Sequence, residues 1–296
     1  MPAKKREKQK IDRTPLPVET VNIGEIIDSS LKVFVKDIKD YFLLTVVVYS
    51  PIIFLQVILV MLVILFLQID QNPELIQGCA NIFISIFALF SWVILVGAAT
   101  ILTIDIYEGK NTTFMEALKR TPQFIVPIIS VTMLTGIGMM AASLIFILIA
   151  VAFYYVFRFE PIFAVTITSL FSMVGLVILT YLVFSLKLAP FLVIIEGATP
   201  IEALQRSMKL FFANKDTQLK IFAVPFLFQL LAVAFLWIPF VGLFAIALEA
   251  ISMVMIYYDV RIRTEGYDME LEAERLKKRL HMENKSPDMV YTPEPD

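Results

Sequence analysis

The sequence predicts an all-α membrane protein that crosses the bilayer with six helices. Three observations support this prediction: long stretches without charge, a one-sided distribution of basic residues, and a motif that recurs along the chain. The chain has 296 residues, of which 58% are hydrophobic and 18% are charged, and its mean hydropathy is +0.79. Soluble domains are closer to half apolar and a quarter charged, so these proportions indicate a membrane protein.

Six apolar segments are candidates for membrane-spanning helices. A helix needs about 20 apolar residues to cross the hydrocarbon core. Because backbone groups in lipid must bond within their own segment, continuous apolar runs are expected to be helical. The runs occupy residues 42–69, 79–104, 124–157, 161–186, 221–237 and 240–258, and Glu249 interrupts the last of them. The first run is too long, and starts too late, for a signal peptide.

The basic residues predict the orientation of these helices. Of the 25 lysines and arginines, 24 fall on one side of a six-helix topology, and only Arg158 falls on the other. Segments rich in lysine and arginine remain in the cytoplasm. Both termini are therefore predicted to be cytoplasmic.

A helix-start motif recurs before each odd-numbered span. Residues 113–120 read Thr-x-x-Glu-Ala-Leu-x-Arg, residues 199–206 read the same, and Asn22 begins a third copy of the cap-x-x-Glu spacing. In a capping box the cap side chain accepts a backbone N–H three residues on, and the glutamate accepts the N–H of the cap. The predicted caps are Asn22, Glu25, Thr113, Glu116, Thr199 and Glu202.

The recurrence divides the chain into three repeats, at about 22–109, 113–197 and 199–266. Each repeat is predicted to hold a short cytoplasmic amphipathic helix followed by a transmembrane hairpin. Each ends in a Glu-Gly pair, at 108–109, 196–197 and 265–266, and glycine suits the left-handed residue that follows a helix. Outside the repeats we expect a disordered basic N-terminus, 1–21, and a cytoplasmic charged helix with a disordered tail, 267–296.

The short helices have two possible roles. Their amphipathic pattern predicts that they lie in the cytoplasmic interface beside the membrane helices. They either act as elbows that orient each hairpin, or form a docking surface for a protein partner or for lipid headgroups. Their charges are of mixed sign, which weakens a purely electrostatic attraction to lipid.

Several short motifs resemble a bacterial family. Residues 187–207 contain Lys-Leu-Ala-Pro-Phe, Ile-Ile-Glu-Gly and Pro-Ile-Glu-Ala-Leu, residues 23–28 read Ile-Gly-Glu-Ile-Ile-Asp, and residues 257–261 read Tyr-Tyr-Asp-Val-Arg. These motifs are similar to those of the membrane domain of glycerophosphoryl diester phosphodiesterases. The resemblance spans most of residues 22–270 and implies a multi-pass protein of the bacterial cytoplasmic membrane. The catalytic barrel of that family is not expected here, because its paired histidines are missing and the one histidine, His281, lies in the tail.

Lys187 and Glu249 are the candidate functional charges inside the membrane. An ionisable residue in a membrane helix is a functional candidate by default. Each of the two lies nine residues from the predicted cytoplasmic end of its helix, a depth of roughly 13 Å. Equal depth predicts an ion pair. The alternatives are a lysine that reaches back to the interface and a Glu249 that is protonated or bonded to a hydroxyl.

Catalytic residues, metal sites and cofactors are not predicted. Cys79 and His281 lie far apart and on opposite predicted sides of the membrane, which argues against a Cys/His zinc site and against a catalytic dyad. Phosphate-binding glycine motifs are also missing. Thr132, Thr135 and other polar residues of the spans either line a path or bond neighbouring helices together.

Three classes of function are consistent with these features. The first is a non-enzymatic scaffold, accessory subunit or assembly factor that docks partners through the short cytoplasmic helices. The alternative is a transporter or channel for a lipid-like or small amphiphilic substrate, which a polar cavity reaching Glu249 would favour. An intramembrane enzyme would have only Lys187 and Glu249 to use. The predicted partners are the lipid bilayer and a protein at the cytoplasmic face, with no nucleic acid and no specified oligomeric state.

Overall fold

The described residues form a helical protein. A computed structural model describes residues 21–67, 73–157, 159–234 and 239–266, and this part of the chain contains no strand. Its helices are α1 (Ile23–Lys36), α2 (Ile38–Leu67), α3 (Pro73–Tyr107), α4 (Phe114–Arg120), α5 (Pro122–Val156), α6 (Pro161–Ser185), α7 (Ala189–Glu196), α8 (Pro200–Ala213), α9 (Lys215–Ala234) and α10 (Pro239–Glu265). The all-α prediction is confirmed. The basic N-terminus, apart from Val21, and the charged tail from residue 267 lie outside the described residues.

Five helical segments of the described chain are long and apolar enough to cross a membrane. They are Ile38–Leu62, Ala80–Tyr107, Pro122–Val156, Ile162–Glu196 and Lys215–Ala234. They overlap the first five predicted segments, with different boundaries, and are compatible with a multi-pass membrane protein. The sixth predicted segment is the helix α10, which carries Glu249, Asp259, Arg261 and Arg263 and is not among the five.

The helices pack as three hairpins whose shared core lies at one end. The pairs are α2 with α3, α5 with α6, and α9 with α10, and α10 also packs against α1 and α3. We call the end at which α1, α4 and α8 lie the elbow end. Buried side chains concentrate towards it, in the second half of α3, in α7 and in α10. Towards the opposite ends of the hairpins the apolar side chains are mostly exposed, and a bilayer would cover them.

Glycine ends each of the three predicted units. Gly109, Gly197 and Gly266 have φ values of 81°, 67° and 64°, and they are the residues with positive φ in the described part of the chain. A side chain with a Cβ atom disfavours this left-handed conformation, whereas glycine adopts it freely. Each Glu-Gly pair therefore lies at the end of a helix. The first two pairs precede the next predicted unit, and the third precedes the C-terminal segment.

The junction between α4 and α5, at Thr121, packs tightly against Gly97 of α3. A Cβ atom added to Gly97 would lie 2.8 Å from Thr121 Cγ2, and Thr121 is itself buried. We expect Gly97→Ala to destabilise the fold by about 1–3 kcal/mol through overpacking. Thr121→Ser removes the clashing methyl group and should rescue Gly97→Ala. Equilibrium unfolding of the single and double variants checks this, and a Gly97→Ala protein as stable as the native one would contradict it.

Candidate functional site

Capping boxes begin α1, α4 and α8. At each start the backbone N–H of the cap donates to the carboxylate of the glutamate three residues on. The N···O distances are 2.8 Å for Asn22 to Glu25, 3.2 Å for Thr113 to Glu116 and 3.1 Å for Thr199 to Glu202. The Thr199 hydroxyl and N–H both bond the Glu202 carboxylate and lower its pKa. These hydrogen bonds fix the starts of α1, α4 and α8, and none of the six residues lines the cavity described below.

The full Thr-x-x-Glu-Ala-Leu-x-Arg motif begins α4 and α8, and its arginine anchors each of these two helices to the helix before it. Arg120 of α4 forms an ion pair with Asp105, near the end of α3. Arg206 Nε of α8 lies 3.0 Å from a carboxylate oxygen of Glu196, the last residue of α7. The alanine of the motif is fully buried in both copies. The threonine, glutamate, alanine and arginine of the motif therefore each have a structural task.

The fourth membrane segment is interrupted at Lys187. α6 ends at Ser185 and α7 begins at Ala189, with Pro190 in its first turn. Pro190 has no N–H, so it cannot donate the hydrogen bond that a continuous helix would need at this position. Just before it, in the interruption, the N–H of Lys187 donates to the carbonyl of Phe184 at 3.2 Å. The interruption places Lys187 beside the middle of α10.

Lys187 and Glu249 meet in an ion pair. Lys187 Nζ lies 2.5 Å from Glu249 Oε1, and the two side chains are 21% and 16% exposed. The pair joins the interruption between α6 and α7 to the middle of α10. Because both charges are partly withdrawn from solvent, removing one of them would leave the other unpaired in a poorly solvated site, which is unfavourable.

This ion pair forms part of the wall of a cavity of about 160 Å³. All three hairpins contribute to the wall: Trp92 comes from α3, Thr132 and Thr135 from α5, and Glu249 from α10. The rest of the lining is largely apolar. The cavity therefore lies where the three predicted repeats meet, and it combines a charge pair with apolar walls.

The cavity wall presents hydrogen-bond donors that have no partner. The Thr132 hydroxyl donates to its own helix, to the carbonyl of Ile128 at 2.8 Å. Neither the Trp92 indole N–H nor the Thr135 hydroxyl bonds to any other described residue. Tryptophan is a donor only, and a lysine ammonium carries three donor hydrogens. Within the described chain, the wall therefore offers unbonded donor hydrogens on Trp92, Thr135 and Lys187.

An apolar groove runs along the same hairpin towards its far end. It has a volume of about 610 Å³ and lies between residues 143–155 of α5 and residues 168–179 of α6. We call this groove the α5–α6 seam. Leu179, at its inner end, is one helical turn from Val183, which lines the cavity and is 40% exposed. The seam and the cavity therefore follow one continuous stripe of α6.

A buried ionic network near the elbow end escaped the sequence analysis. Lys220 Nζ of α9 lies 2.7 Å from Asp259 Oδ2 of α10, and both side chains are 1% exposed. Asp259 also accepts the N–H of Val21 at 2.9 Å and bonds Arg263 at 3.1 Å. The prediction began this span at residue 221, whereas α9 begins at Lys215, so its charged first turns enter the protein. The available signal was Asp259 itself, an acidic residue at the end of an apolar run.

Comparisons with known proteins return no relative. No protein family matches the chain, no curated protein is significantly similar to it, and no solved structure matches its fold. The resemblance to the membrane domain of glycerophosphoryl diester phosphodiesterases therefore rests on the short motifs alone. Within the described residues, no three His, Cys, Asp or Glu side chains group as metal ligands.

Proposed function

We propose that the protein binds an amphiphile in the membrane, with the polar head in the cavity at Lys187 and Glu249 and the apolar chain along the α5–α6 seam. The observation that carries this proposal is that the seam and the cavity adjoin along α6, where Leu179 of the seam lies one helical turn from Val183 of the cavity. A polar cavity that reaches Glu249 was the feature expected to favour the transporter class over the scaffold class; the observed cavity reaches Glu249 and its charge pair, although most of its lining is apolar. The proposal accordingly takes up the alternative function of the sequence analysis.

The volume of the cavity and the length of the seam fit a ligand with a small polar head and a long apolar chain. Pockets that enclose whole small molecules measure about 300–1,000 Å³, so a cavity of about 160 Å³ holds a head group and little more. The seam extends over thirteen residues of α5, from 143 to 155, and the twelve steps between them rise by roughly 18 Å. One leaflet contributes about half of the 30 Å hydrocarbon core, so an acyl chain fits the length of the seam.

The interruption of the fourth span supports the further proposal that the bound amphiphile is transported. Transporters commonly place their substrates beside discontinuous membrane helices, where unwound backbone meets polar side chains. The break between α6 and α7 lies directly at the ion pair. A bound head group would thus contact the part of the fourth span that is least constrained by helical hydrogen bonds.

The proposal includes a complete topology. We place six spans in a bacterial cytoplasmic membrane, in three repeats, with α10 as the sixth span and both termini in the cytoplasm. The distribution of basic residues supports the orientation. The recurring capping boxes and the two arginine anchors support the repeats. Lys187 supplies the counter-ion that a span containing Glu249 requires.

Filling the cavity tests the proposed function. We expect Thr135→Phe to abolish labelling of the α5–α6 hairpin by a photoreactive C16 amphiphile in native membranes, because the ring occupies the head-group space. Met133→Phe is the matched control: Met133 lies on the same helix, is exposed to lipid and does not line the cavity. Peptide mapping by mass spectrometry locates the labelled residues. Equal labelling of the two variants would contradict the proposal.

A scaffold function is the second candidate, and the exposed flanks of the elbow helices favour it. Leu31 and Val35 of α1, and Ile201 and Phe212 of α8, are exposed although they belong to amphipathic helices. A partner protein at the cytoplasmic face would cover such positions. Affinity purification in mild detergent tests this, with Ile201→Asp beside the native chain. A stoichiometric partner lost from the folded variant would favour the scaffold function.

A further inference from the structure

We infer that the head group bound in the cavity is anionic and that Lys187 is its principal ligand. Glu249 then acts as an internal competitor, which occupies Lys187 while the cavity is empty. The inference rests on the proposed function and adds to it the chemical class of the amphiphile. A carboxylate and a phosphate monoester share the required chemistry, since both are anionic and rich in hydrogen-bond acceptors.

The donor inventory of the wall favours an anion. The Trp92 N–H and the Thr135 hydroxyl have no partner among the described residues, and Glu249 takes one donor of the Lys187 ammonium. A carboxylate or a phosphate accepts from all three side chains. A cationic head group could contact the Glu249 carboxylate, the Trp92 ring face and the threonine hydroxyl oxygens, but it would lie beside the Lys187 ammonium and would leave the Trp92 N–H without an acceptor.

The charge pair explains how the empty site remains stable. Lys187 and Glu249 are the charged residues of the cavity wall within the described chain, so the wall is neutral without a ligand. An isolated ammonium in an apolar cavity would be costly, and Glu249 removes that cost. An anionic head group that replaces Glu249 at Lys187 keeps the ammonium paired but leaves the Glu249 carboxylate without its partner, so Glu249 opposes binding of the anion.

Removing the competitor should therefore strengthen binding. In Glu249→Gln the Lys187 ammonium is free to bind an anion, and we expect the affinity for anionic amphiphiles to rise by about tenfold or more, since close charge pairs at interfaces are coupled at least this strongly. In Lys187→Met the preference for anions should disappear. The double variant Lys187→Met/Glu249→Gln keeps the Trp92 and Thr135 donors but has no charge on the wall, so its preference for anionic over uncharged amphiphiles should be much smaller than that of the native chain.

The experiment measures competition against the photoreactive C16 amphiphile. The full chain is placed in nanodiscs of phosphatidylcholine, and the competitors are hexadecanoate, hexadecyl phosphate, hexadecanol and hexadecyltrimethylammonium. The first two separate a fatty carboxylate from a phosphate-bearing lipid as the source of the anion. For the native chain we expect the anions to compete best and the cation to compete worst.

Thr135→Val keeps the test decisive if Lys187→Met does not fold. It removes a donor without touching the ion pair, and we expect about tenfold weaker competition by the anions with hexadecanol unchanged, because a hydrogen bond to a charged group is involved. Equal competition by hexadecanol and the anions, in both the native chain and Glu249→Gln, overturns the inference and leaves the proposed function standing. A preference for the cation also overturns it. Failure of every competitor overturns both.

Discussion

Replacing Asp259 by alanine is expected to lower the free energy of unfolding by about 3–5 kcal/mol, which is the usual cost of removing one partner from a buried ion pair. The Asp259 carboxylate holds Lys220 of α9, the N–H of Val21 and Arg263 of its own helix. Lys220 is 1% exposed and would keep only Asp216 as a partner. Proteins of this size have roughly 5–15 kcal/mol in total, so the loss is severe.

Equilibrium unfolding in mixtures of mild detergent and sodium dodecyl sulfate measures this effect. Asp28→Ala is the matched control, because Asp28 pairs with Lys32 on α1 and its side chain is 60% exposed. Exposed pairs contribute about 0–1 kcal/mol, so the control should unfold almost as the native chain does. Similar losses for Asp259→Ala and Asp28→Ala would show that the network around Asp259 does not stabilise the fold.

The two members of the cavity pair are expected to depend on each other for stability. Lys187→Met and Glu249→Gln should each destabilise the protein by about 1–3 kcal/mol, less than Asp259→Ala, because their side chains are partly exposed. The double variant leaves no unpaired charge. Its loss should therefore be smaller than the sum of the single losses, with a coupling energy of about 1–3 kcal/mol.

A double-mutant cycle measured by the same unfolding experiment gives this coupling directly. Thr132→Val with Glu249→Gln provides a control cycle, since the Thr132 hydroxyl bonds its own helix and not Glu249. Additive losses for Lys187 and Glu249 would contradict an ion pair that contributes to stability. The cycle also shows whether the variants used in the binding experiment are folded.

The sequence alone determined the helical segments and the starts of the elbow helices. Backbone groups in lipid must bond within their own segment, so a charge-free run of sufficient length specifies a helix without reference to the rest of the chain. A capping box is equally local, because its two partners lie three residues apart. The meeting of Lys187 and Glu249 could be anticipated because helical rise converts residue number into depth, but depth alone does not specify which helices face each other.

The tertiary structure decided which distant side chains meet. The network around Asp259 and the cavity between the three hairpins join segments that lie well apart along the chain, and Arg120 and Arg206 find their carboxylate partners on the preceding helix. Their positions follow from how the helices pack, since van der Waals fit and interhelical hydrogen bonds, rather than hydropathy, drive helix association in lipid. Hydropathy is nearly uniform along these helices, so it places them in the membrane but carries no information about their neighbours. The cavity and its ion pair are consequences of that packing.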